Sequence, residues 1–209
     1  MKQLFMTVLL LVTVSISMKS QTDYSPGFEA GKPEEMNKLA FLKGKWNINL
    51  KWTNDVTQPK DKWLSAGMSK SEFLDYYEGT FLQEKSLGFP LGKTGHEGFT
   101  NWEYNSVFSY DRFQKKYRCI AFDNIMGLTD IYEGNFNGEN LVLTNAKTST
   151  YNNQGTNGGN QKNRMTLIPI SDNRFEVIWE NIDEIQLNPN DIHSSEWNFV
   201  ILMIYKKIE

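Results

Sequence analysis

The chain has 209 residues, 39% of them hydrophobic and 13% aromatic, which is enough for one domain of ordinary size with its own core. Its formal charge is −3 at pH 7 and no basic block occurs, so it lacks the phosphate-neutralising surface that nucleic acid or an anionic membrane requires. The one cysteine, Cys119, excludes an intrachain disulfide, and with only two histidines no metal centre or other cofactor is expected.

Residues 1–20 read as a secretory leader. Lys2 supplies a positive start, residues 4–16 are almost all apolar, and Ser15, Ser17 and Ser20 offer small residues for a cut after Ser17 or Ser20. The apolar run is too short to span a bilayer, so stable membrane insertion is not expected and a periplasmic or secreted protein is. Residues 21–32 read as a linker, leaving 33–209 as the folded domain. Pro33 suits the first position of a helix, Glu34 and Glu35 suit its first turn, and Met36, Leu39, Ala40 and Leu42 give it an apolar stripe that ends at Gly44.

From there the pattern switches to period two. Trp46, Ile48, Leu50 and Trp52 alternate with Asn47, Asn49, Lys51 and Thr53, a half-buried strand. Residues 54–64 are loop. Strands over 68–77 and 80–88 flank the turn Glu78-Gly79. Pro90 and three glycines make 89–98 a loop. A meander follows, with strands over 102–110, 117–123, 129–136 and 141–144, the last two joined at Asn137-Gly138. Residues 147–163 are Asn, Gly, Thr and Gln almost throughout and read as a long loop. Strands over 164–170, 174–182 and 197–205 complete the set, with an acidic, Asn-rich loop over 183–193.

About ten short strands after one helix suit a closed antiparallel barrel or a sandwich. The last strand favours the barrel. Trp197, Phe199, Ile201, Met203 and Tyr205 fall on one face, and Val200, Leu202 and Ile204 on the other, so it should pair on both sides. The first strand is its natural partner, with the helix or a loop over its outer face. The expected fold class is therefore all-β, a single closed antiparallel barrel of about ten strands with a short N-terminal helix.

The run Phe41-Leu42-Lys43-Gly44-Lys45-Trp46 resembles the Gly-x-Trp opening of lipocalins and related calycins, where the glycine bends the chain and the Trp46 ring plugs one barrel end. Tyr110-Asp111-x5-Tyr117, Asp123-Asn124-x-Met126-Gly127, Tyr132-Glu133-Gly134 and Leu141-x-Leu143 are similar to a bacterial lipocalin-like family known as domain of unknown function 1579, over residues 36–179. That resemblance implies a calycin fold and no particular activity. The chain departs from many lipocalins in lacking disulfides. It also names no clear basic partner for Trp46, for which Lys206, Arg164 and Arg174 are candidates. A haem-binding barrel relative, nitrobindin, uses a histidine ligand; here His96 and His193 fall outside the alternating strands, so haem is not expected.

No nucleophile elbow, Walker loop or paired-histidine zinc motif occurs. Asp183, Glu184, Asn188, Asn190 and Asp191 carry oxygens suited to calcium, though a solvated loop explains them more simply. Among strand-borne polar residues, Asp123, Glu133, Arg164 and Glu180 either point to water or meet in the lumen as a polar anchor or acid–base pair. Of the aromatics, Trp46, Trp52, Trp102, Tyr104, Phe108, Phe122, Trp179 and Trp197 are able to line a cavity, although packed core would also account for them. The expected ligand-binding set is thus Trp52, Tyr104, Phe108, Asp123, Glu133, Arg164 and Trp179, with Trp46 as the plug and no catalytic set. A carrier of a small hydrophobic ligand is the first reading. A barrel enzyme using lumen carboxylates with an arginine, or a filled barrel that contacts other proteins, are the alternatives.

Overall fold

The computed structural model describes residues 31–53, 55, 57–88, 102–124, 129–145, 162–182 and 200–208. The leader, most of the linker, His96, His193, Trp197 and the loops read at 89–98 and 183–193 lie outside the described residues.

Among the described residues, ten strands follow one helix: β1 Gly44–Thr53, β2 Leu64–Tyr76, β3 Phe81–Ser86, β4 Tyr104–Asp111, β5 Lys116–Asp123, β6 Thr129–Asn137, β7 Asn140–Thr144, β8 Lys162–Ser171, β9 Arg174–Ile182 and β10 Val200–Lys207. They form a closed barrel in which each strand pairs antiparallel with its sequence neighbours and β10 returns to β1. The protein is an all-β, closed ten-stranded antiparallel barrel with a short N-terminal helix, as the alternation predicted. Several boundaries differ by a few residues, and β2, from Leu64, and β8, from Lys162, begin inside stretches read as loop.

The helix, Glu34–Leu42, is a 3-10 helix rather than an α-helix. Its burial explains why. Pro33, Met36, Leu39 and Leu42 are buried, every third residue, and a helix of three residues per turn stacks such positions into one line. Ala40, read as part of the stripe, is exposed. Lys43 follows in extended conformation, and Gly44 turns into β1 at φ +119°, where a side chain is strained. Tyr117 Oη, on β5, donates to the Glu35 carbonyl at 2.8 Å and ties the helix across that barrel end.

Because β1 starts beside the helix, the strand directions sort the connections. The short turns after β2, β4, β6 and β8 lie at the helix end, and the long connections after β1, β3, β5, β7 and β9 lie at the other. The lumen is filled by inward rows from every strand, including Ile48 and Leu50, Phe108, Cys119, Leu141 and Leu143, Leu167, Phe175 and Tyr205. Gly134 sits where β6 passes β7 so closely that a Cβ would run into the Val142 carbonyl oxygen. That steric demand accounts for the glycine of Tyr132-Glu133-Gly134.

The apolar outer face of β10 also has its cover. Trp63 packs on Val200 and Leu202, with Ile178 and Ile204 at the margin, and its Nε1 donates to the Gln58 carbonyl at 3.0 Å. Lys51 Nζ holds the Lys60 carbonyl at 3.1 Å, and Lys60 Nζ meets Glu176 at 3.2 Å. Burial works against the Glu176 charge, but hydrogen bonds from Arg174 and Lys60 outweigh it and hold this carboxyl below its usual range. The segment between β1 and β2 is thus a strap over a second, outer core, which is why β10 is apolar on both faces. No helix among the described residues is long and apolar enough to cross a membrane.

Candidate functional site

Three inward positions of β3 are Leu82, Glu84 and Ser86. The middle one places a carboxyl in the apolar lumen, 2% exposed. Glu84 Oε1 accepts from Tyr205 Oη at 2.8 Å, across the barrel from β10, and Oε2 accepts from Ser106 Oγ at 2.9 Å, from the neighbouring β4. Burial pushes the Glu84 carboxyl up to about 7, with the Tyr205 and Ser106 hydrogen bonds pulling the other way.

The carboxyl faces a small cavity of about 10 Å³. Phe73, Tyr104, Phe108, Trp179 and Tyr205 supply its aromatic walls, with Met165, Leu167, Val177 and Met203 between them. Tyr104 meets Trp179 edge-on at 5.1 Å, and Phe175 stacks behind Tyr205 at 4.2 Å, so most of these rings are locked by others. The space accommodates one water-sized group. Among the described residues, no Lys, Arg or His lines it. Ser71 on β2 also pulls the Glu84 carboxyl down, and Trp179 Nε1, buried in its inward row, has no hydrogen-bond partner.

Burial, then the negative charges around them, pushes the Tyr104 and Tyr205 phenols and the Cys119 thiol well above their ordinary ranges. Glu84 is therefore the group of this cluster whose charge changes near neutral pH. Cys119 is fully buried, and its thiol is expected not to react with an aromatic disulfide reagent at pH 7 until denaturant is added. Rapid labelling in the native state would show that the lumen opens at Cys119.

A second polar cluster stands nearer the loop-bearing end. Asp130 Oδ2 accepts from Tyr132 Oη at 2.7 Å and from Asn145 Nδ2 at 2.9 Å, while Asn145 Oδ1 accepts from the Asn163 amide at 2.6 Å. Among the described residues no three His, Cys, Asp or Glu side chains come together as a metal site.

The residues singled out from sequence divide clearly. Tyr104, Phe108 and Trp179 line the cavity together. Trp52 and Asp123 stand half-buried at the loop-bearing ends of their inward rows, away from the cavity lining. Glu133 and Arg164 require correction. Tyr132 and Gly134 face inward, so Glu133 faces out and pairs with Lys116 at 3.4 Å. Met165 faces inward, so Arg164 faces out and pairs with Glu180 of the adjacent strand at 2.9 Å. No arginine reaches the lumen carboxyl. Trp46 is fully buried under the helix, with Nε1 donating to the Leu42 carbonyl at 2.7 Å. Its cation is Lys207, 5.6 Å from the ring centre, and none of the three residues considered from sequence.

No protein-family model matches the chain, and no curated protein matches it. The chemistry of the site rests on the residues themselves. Those missed from sequence are Glu84, Ser106, Ser71 and Tyr205. On β3 the two rows are Phe81, Gln83, Lys85 and Leu82, Glu84, Ser86, each with one apolar member, so alternation there does not say which row faces in.

Proposed function

We propose that the chain is an exported lipocalin-like barrel that holds a small hydrophobic or amphipathic ligand in its lumen, with Glu84 as the polar anchor. The observation that carries this reading is the Glu84 carboxyl set in an aromatic-walled cavity, hydrogen-bonded on both oxygens and with no basic partner among the described residues. Burying such a group works against folding, and apolar cavities with few convergent polar groups are the usual form of a small-molecule site. The present space takes only the head of a ligand. Met165 and Met203 are the unbranched wall residues that rotate most readily to admit the rest. Entry from the loop-bearing end passes Tyr104 and Trp179. The leader-like order of residues 1–20 supports a periplasmic or secreted location.

Native mass spectrometry of the protein purified from its own host tests the reading. A reproducible bound mass, reduced in Glu84→Gln, is expected. An unliganded mass from every preparation would favour a second reading, a filled barrel that contacts another protein through its surface. One feature favours that alternative: Ile120, Phe122 and Ile131 form an outer apolar patch on β5 and β6, each more than a third exposed. The enzyme reading has lost the arginine it invoked, since Arg164 points outward.

A further inference from the structure

Among the described residues, the cavity holds an acid without a base. The cavity residues comprise one carboxyl, two phenols and an indole among apolar side chains, and none of them is cationic. Both Glu84 oxygens accept from hydroxyls, Tyr205 on one side and Ser106 on the other, an arrangement that suits the ionised carboxylate. What the charged form lacks among the described residues is a counter-charge. The remaining walls are aromatic, from Phe73, Tyr104, Phe108 and Trp179, and the face of such a ring beside a carboxylate stabilises a desolvated organic cation. The free volume, about 10 Å³, takes a group the size of an ammonium head.

Building on the carrier reading, we propose that the ligand is a small protonated amine, whose ammonium group sits in this cavity against Glu84 and whose apolar tail runs past Tyr104 and Trp179 toward the loop-bearing end. An amine of this kind donates to the Glu84 oxygens alongside Tyr205 and Ser106. A fatty acid or other anion meets like charge there, and an alcohol gains a hydrogen bond without neutralising the carboxylate.

Calorimetry and tryptophan fluorescence of the full chain at pH 7.5 separate these cases, using n-butylamine, butan-1-ol and butyrate as probes of equal length. The amine is expected to bind, and Glu84→Gln to weaken it about tenfold or more while changing butan-1-ol binding little. Circular dichroism of Glu84→Gln checks that the barrel is retained. Butan-1-ol or butyrate binding without the amine, or amine binding that survives Glu84→Gln unchanged, overturns the amine assignment and leaves the carrier reading standing. Failure of all three probes, together with an unliganded native mass, overturns both.

Discussion

Trp46→Ala is expected to cost about 3–5 kcal/mol of folding stability, seen as a lower denaturation midpoint in urea with an unchanged slope. Three contacts go together. The ring is fully buried and meets Phe175 edge-on at 4.7 Å, so alanine leaves a void that the rigid aromatic cluster cannot close. The Leu42 carbonyl, last in the 3-10 helix, loses its 2.7 Å donor in a buried setting. Lys207 loses the ring over which its ammonium lies. Trp46→Phe separates these contributions: it retains an aromatic body and removes the donor, for an expected loss of about 1–3 kcal/mol. If Trp46→Ala falls below about 1 kcal/mol, the ring is not the floor of the barrel.

The same tryptophan shows what was legible in the sequence. Gly44-x-Trp46 and four alternating apolar residues fixed β1 because one face is polar, and β10 declared itself by having no polar face at all. Closure followed from that contrast, since an apolar strand needs neighbours on both sides. The helix type was less legible, because positions 36 and 39 fit three residues per turn as well as 3.6, and only the buried Pro33 and exposed Ala40 decide it. Arg164 and Glu133 were misplaced although their neighbours carried the signal. Met165 and Leu167 are the apolar row of β8, and Tyr132 and Phe136 that of β6, so the charged residues between them belong outside. Glu84 had no such neighbours. Its direction is set by tertiary register, Glu84 opposite Phe73 on β2 and Ser106 on β4, and by a phenol 121 residues away.

The pH dependence of stability is expected to reveal Glu84 most directly. Its carboxyl ionises near 4.5 in an ordinary setting and near 7 in the folded barrel, because burial disfavours the charge. Below about pH 4.5 the group is protonated in both states and imposes no penalty. Between pH 4.5 and about 7 the folded state keeps a proton that the unfolded chain has released, so stability falls as pH rises through this window. Above pH 7 the full penalty is present, on the order of 3 kcal/mol. Carboxyls held below their usual range, Glu176 with its two cations among them, act in the opposite sense and at lower pH, where protonation removes their stabilisation. The neighbours of Glu84 do not mask the effect, since Tyr104, Tyr205 and Cys119 remain neutral through the window. Glutamine at this position has the shape of the protonated acid and still accepts from Tyr205 or Ser106. Glu84→Gln is accordingly expected to flatten the profile between pH 5 and 8 and to exceed wild type in stability at pH 8. Urea denaturation at both pH values, followed by tryptophan emission, measures it. A wild-type protein equally stable at pH 5 and 8, or a glutamine variant that parallels it, would mean that the Glu84 carboxyl is solvated and that the lumen is wetter than its aromatic walls imply.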